Sequence, residues 1–200
     1  GGWYKESDCI NQWNFGVDPV DIDTTIFAKW TAINYNIIYN LDGGTNNGSN
    51  PATYTIESST ITLQDATKDG YTFAGWYNDI GLTNQITNII SGSTGDKTLY
   101  AKWNINQYTV TFNTNGGSAI SSQTINFGGL VIEPSNPTKT GYTFAGWYRE
   151  STFTNQWIFD TDTVTNNVLL YAKFTDALWA KSVTAGTSES YFYSVAVDSS

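Results

Sequence analysis

The sequence predicts a mostly-β chain (α+β at most), built from tandem small modules. Each has four to five strands with hairpins and at most one short helix. Three observations carry this. First, the block Gly70-Tyr71-Thr72-Phe73-Ala74-Gly75-Trp76-Tyr77 returns unchanged as Gly141-Tyr142-Thr143-Phe144-Ala145-Gly146-Trp147-Tyr148, and its tail stands at Gly2-Trp3-Tyr4. Second, a marker trails each copy at constant spacing: Ala28-Lys29-Trp30, Ala101-Lys102-Trp103 and Ala172-Lys173-Phe174. A period this long makes each unit a small domain rather than one turn of a solenoid. Third, apolar residues alternate with Thr and Asn, and no segment shows a long amphipathic helix.

The array divides into four segments. Residues 1–30 are the back half of a repeat, 31–103 and 104–174 are complete repeats, and 175–200 match no part of it. Residues 1–30 align without gaps on 145–174, pairing Glu6 with Glu150, Asn11 with Asn155, Trp13 with Trp157, Phe15 with Phe159 and Val20 with Val164. The half repeat is too short to fold alone and is expected to be the least stable segment. Each complete repeat is expected to close its own core, with only Asn104 to Gln107 between them.

Each complete repeat opens with an alternating strand, on Tyr35, Ile37 and Tyr39, then on Tyr108, Val110 and Phe112. Asp42-Gly43-Gly44 and Asn115-Gly116-Gly117 follow, with the positive φ angles of a tight hairpin turn. A second strand carries Ile125 and Phe127. Pro134, Pro137 and Gly141 then mark an irregular stretch, because Pro lacks the ladder donor. The Gly-Tyr-Thr-Phe-Ala-Gly-Trp-Tyr block is the third strand. Phe144 and Trp147 would fall on opposite faces of a regular strand, and a bulge at Gly146 would turn both inward. Trp157, Phe159 and Val164 form an irregular strand or one helical turn. The last strand, Leu169 to Phe174 or Thr98 to Trp103, faces Lys102 and Lys173 outward and puts Leu99, Ala101 and Trp103 in the core.

Composition narrows the function. The chain has 9 basic and 18 acidic residues, net −9, which disfavours nucleic acid and anionic membranes, since both need a basic face. No apolar run approaches the roughly 20 residues of a membrane span. With 14% charged and 16% aromatic residues, an extracellular β protein fits better than a cytosolic enzyme. The chain has no Met, so a processed product or fragment is expected.

No constellation for catalysis, cofactor or metal is visible, so no site residues are assigned. There is no His, which removes His-based acid/base pairs, triads and zinc sites. Asp160 with Asp162, and Asp18 with Asp21 and Asp23, lack the spacing of a calcium loop and are read as turn caps or solvated carboxylates. Cys9 occupies a slot filled by Leu82 and Phe153 elsewhere and is read as buried and inert. The recurrent Lys29, Lys102 and Lys173 are read as solvated charges protecting a sheet edge rather than as cross-links.

The blocks Thr109-Val110-Thr111-Phe112-Asn113-Thr114-Asn115-Gly116-Gly117, Pro137 to Tyr148, Phe159 to Val164 and Leu170 to Phe174 resemble the Listeria–Bacteroides repeat, the B-repeat type of internalins. Repeat 31–103 departs from it, with Ile86 in place of the Trp of the other copies and Ile89-Ile90-Ser91 in place of the Phe159 to Val164 block. The resemblance implies a β-grasp-like fold in secreted or surface-anchored bacterial proteins, without catalytic residues. Residues 175–200 resemble the opening of a bacterial β-propeller repeat and imply that a different β-rich domain, or a strand-adding tail, begins there. The function expected is a non-catalytic spacer, stalk or adhesion module of a monomeric chain. The alternative is a module binding a glycan, or a host or cell-surface protein, through exposed aromatics.

Overall fold

The computed structural model describes residues 1–177. The chain divides into two compact units, Gly1–Asn104 and Ile105–Ser200. The propeller-like resemblance lies almost wholly in 178–200, outside the described residues.

The first unit begins with a two-stranded ribbon in 1–30, β1 (Gly2–Tyr4) against β2 (Phe27–Lys29). There follow β3 (Tyr35–Asn40), β4 (Thr53–Tyr54), β5 (Ile61–Thr62), β6 (Tyr71–Tyr77), β7 (Gln85–Ile86), β8 (Asn88–Ile89) and β9 (Lys97–Ile105). They make a five-stranded sheet, β4-β3-β9-β6-β7, and a separate ribbon of β5 and β8. The second unit contains β10 (Gln107–Asn113), β11 (Gln123–Asn126), β12 (Tyr142–Tyr148) and β13 (Val168–Asp176), ordered β11-β10-β13-β12. The class is mostly β, as the alternation predicts.

In both units the first and last strands of the repeat lie side by side and parallel: Ile37 to Asn40 against Lys97 to Tyr100, and Val110 to Asn113 against Val168 to Tyr171. Parallel neighbours need a long crossover. Here it carries turns and short ladders in place of the helix common in such connections.

The cores are the inward faces of these strands. One buried cluster joins Ile37, Tyr54, Leu63, Ala66, Trp76, Ile89, Leu99 and Ala101. The other joins Val110, Phe112, Val131, Trp147, Trp157, Val164, Leu170 and Ala172. Burying each large apolar side chain contributes about 1.5–3 kcal/mol, so aromatics help so short a repeat fill a core.

The bulge forms as the sequence suggests. Phe144 pairs with Phe174, Gly146 with Lys173 and Trp147 with Ala172, so Ala145 is the extra residue. Gly146 and Gly75 both sit at φ 121°, a conformation that favours glycine. Phe144 and Trp147 thereby share the core face, their rings 5.5 Å apart and edge-to-face. Phe73 and Trp76 repeat this at 5.3 Å.

The turns are partly different from expectation. Asp42 (φ 46°) and Gly43 (φ 82°) are both left-handed, and the Gly44 amide donates to Leu41 O at 2.9 Å, which is a type I′ pattern. The chain does not return along β3, however. Thr45 pairs with Thr67, and the antiparallel partner of β3 arrives only at Thr53. The second glycine packs under the last-strand aromatic, and this turns the chain across the sheet instead of back along it.

Candidate functional site

The Trp-Tyr ends of β1, β6 and β12 each start the same hairpin. The amides of Lys5, Asn78 and Arg149 donate to the carbonyls of Asn11, Asn84 and Asn155 at 2.9, 3.1 and 2.9 Å. A carboxylate holds each turn: Glu6 and Glu150 each accept from the backbone and side chain of an Asn, and Asp79 accepts from the amides of Thr83 and Asn84. These amides hold the Asp79 carboxyl below its ordinary value, Thr83 contributing most. The turn ends on a left-handed residue in every copy, Cys9 (φ 55°), Leu82 (φ 53°) and Phe153 (φ 55°).

That slot corrects the reading of Cys9. It is half-buried, because the turn lays its side chain on the outer face of the sheet and not in the core. In the second unit the Phe153 ring meets Tyr148 edge-on at 5.7 Å.

The recurrent lysines belong to the same face. Lys29, Lys102 and Lys173 stand 5.2, 5.1 and 5.2 Å from the rings of Tyr4, Tyr77 and Tyr148. The edge-protection reading fails for Lys102 and Lys173, since β9 and β13 lie inside their sheets. Each ammonium instead covers a tyrosine on a neighbouring strand, a cation–π contact. Sequence alternation shows that the lysine faces outward. It does not show which strands flank it.

A second recurrent cluster lies on the returning arm. Arg149 stacks on Trp157 at 4.4 Å and pairs with Asp162 at 3.0 Å. In 1–30, Lys5 lies 5.9 Å from Trp13 and 2.6 Å from Asp18. The hydrogen bond from Lys5, then that from the Asn14 amide, lowers the Asp18 carboxyl. Asp18 and Asp162 also accept from the Asn14 and Ile158 amides, both at 2.7 Å, and so cap turns. Repeat 31–103 lacks the cluster: Asn78 and Ile86 stand in its place, beside a cavity of about 360 Å³.

Of the Trp side chains, Trp76, Trp147 and Trp157 are buried, while Trp3 and Trp30 are 46% and 90% exposed. The exposed pair falls in 1–30, where the described residues form only the two-stranded ribbon of β1 and β2. Phe15 and Val20 are exposed there for the same reason, whereas Phe159 and Val164 pack in the second core. Among the described residues no three His, Cys, Asp or Glu side chains converge on a metal-sized point, and no helix is long and apolar enough to cross a membrane.

The geometry defines a class, tandem all-strand repeat modules with a bulged Trp strand and a central parallel pair. The chain belongs to the Listeria-Bacteroides repeat domain family, which it matches three times, over residues 1–29, 35–102 and 108–173. It is also similar to two proteins of Evansella cellulosilytica, provisionally named a Gly-rich membrane protein and a membrane protein. Identity is 38% and 36% over 173 residues, covering 86% of this chain and 20% and 26% of theirs. A third relative is Internalin H of Listeria monocytogenes, 37% identical over 143 residues, or 70% of this chain and 25% of that protein. The chain thus spans about a fifth to a quarter of the length of these relatives.

Proposed function

We propose that this chain is a non-catalytic spacer segment of a bacterial cell-surface or secreted protein, built from the repeats 31–103 and 104–174 with the half repeat 1–30. The observation that carries the reading is the placement of the recurrent aromatics. In the complete repeats Trp76, Trp147 and Trp157 are spent on the core, and Tyr77 and Tyr148 lie under Lys102 and Lys173. Little aromatic face is left to stack on a glycan. The relatives named as membrane proteins and as an internalin support a surface location. The parallel first and last strands support a β-grasp-like connectivity, and the acidic balance opposes nucleic acid as a partner.

A spacer acts through length, not through a particular surface. In the surface-displayed protein, deleting 31–174 should hide an epitope placed ahead of Gly1 from an antibody. An unrelated folded module of equal length should restore its exposure. If only the native repeats restore it, the segment works by adhesion and the spacer reading fails.

A further inference from the structure

We propose that the cavity beside β7 in repeat 31–103 is a receptor for one aromatic side chain, an indole, presented by a partner polypeptide. This goes beyond the spacer reading and does not depend on it.

The repeats themselves show what fits there. The hairpins are in the same register: Gln12, Gln85 and Gln156 pair with Tyr4, Tyr77 and Tyr148. The next residue is Trp13 in the half repeat and Trp157 in the second complete repeat, but Ile86 in the first. The residue that follows the paired tyrosine is Lys5 and Arg149, but Asn78 in the first. Both members of a cation–indole stack are therefore cut back together. The turn that carries Asp162 is also gone, since Ile86 leads directly through Thr87 into β8.

The vacated space is real in the fold. Asn78 and Ile86 both line the cavity, with Ile89, Ile90 and Leu99. Ile89 and Leu99 are buried core residues, whereas Ile90 is 68% exposed. An apolar floor with amides at the rim suits a flat ring with one N–H, because the ring is desolvated on the floor while the donor keeps a partner.

Two charged side chains stand in the wall of the cavity. Asp96 already accepts from the Asn36 amide at 2.7 Å, and Lys97 donates to Thr94 O at 2.9 Å. Each is anchored by that one bond and keeps further lone pairs or N–H donors, which makes the rim polar. The occupant we assign is a tryptophan within a peptide. β7 is also the end strand of its sheet, so a peptide has an open edge beside the cavity.

The test is a methyl and side-chain amide NMR titration of the full chain with N-acetyl-tryptophanamide. Saturable shifts are expected at Ile86, Ile89 and Asn78, with a dissociation constant on the order of 1 mM for so small a probe. Val110 and Val164 in the second repeat should stay still. Ile86→Trp should fill the space and abolish the response. Should that variant not fold, the double change Arg149→Asn and Trp157→Ile should confer the response on the second repeat. Three outcomes overturn the proposal: no shift at Ile86 and Ile89 well above that concentration, equal binding of free tryptophan, or a saccharide such as cellobiose moving the same signals in place of the capped tryptophan.

Discussion

The indole of Trp103 closes over the α-carbon of Gly44, so closely that a β-carbon there would stand 2.5 Å from Cζ2. The same indole donates from Nε1 to Leu41 O at 2.9 Å. In the second repeat Phe174 does this over Gly117, with 2.9 Å to the position of a β-carbon. The two glycines of each turn thus have different tasks: the first supplies positive φ, the second lets the last-strand ring approach.

Gly44→Ala and Gly117→Ala should therefore destabilise their own units by about 1–3 kcal/mol through overpacking. Gly48→Ala, with open space around it, is the control. Chemical denaturation followed by hydrogen exchange in each unit measures the difference. Equal tolerance at Gly44 and Gly48 would contradict the packing role.

The buried tryptophans should respond unequally to Phe. Trp76 Nε1 donates to Gln64 O at 2.9 Å, whereas the buried indole nitrogens of Trp147 and Trp157 lack a partner in the structure. Trp76→Phe loses a hydrogen bond that Trp147→Phe does not. Its cost should be larger by about 0.5–1.5 kcal/mol, the net worth of such a bond. Unfolding midpoints of the two variants decide it.

Much of this was legible beforehand. The inward set Leu99, Ala101 and Trp103 follows from alternation, and the bulge at Gly146 follows from two aromatics that must share a face. What was hidden is non-local. The parallel pairing of β10 with β13 joins residues far apart in sequence and makes β13 an inner strand, while the antiparallel pairing with β12 sets Lys173 over Tyr148. The left-handed slot of Cys9 was hidden too, because Leu82 and Phe153 in the same slot look like core residues. The cavity beside Ile86 showed in the sequence only as a missing Trp.

Cys9 should accordingly react with a thiol reagent in the native protein, at a rate within an order of magnitude of the unfolded chain, since accessibility governs the rate at a given thiolate fraction. Protection by several orders of magnitude would restore a core position for it.

Two groups of the first unit couple its fold to pH. Burial pushes the Tyr39 hydroxyl up to about 12 from 10.0, and that hydroxyl donates to Pro51 O. Its neutral form is the one the fold favours, so this contribution is complete below pH 10 and is lost as the pH rises through about 12. Asp79 behaves oppositely. Its lowered value means that its turn is held above the ordinary carboxylate value of 3.8 and released as the pH falls through the lowered one. Ultraviolet titration should find Tyr39 among the last tyrosines to ionise, and the amide shifts of Thr83 and Asn84 should titrate with a midpoint below 3.8. Ionisation of Tyr39 near pH 10 would show that it is not shielded.

The parallel pair at the centre of each repeat has a mechanical meaning. The chain enters the second repeat at the start of β10 and leaves it at the end of β13, which lie at opposite ends of two strands running the same way. Tension applied through the chain pulls these strands past each other along their length. The hydrogen bonds between Val110–Asn113 and Val168–Tyr171 are then loaded together in shear and must yield as a set; they cannot be peeled apart one by one. The strand order that closes the core is thus also the one that resists pulling a repeat open from its ends.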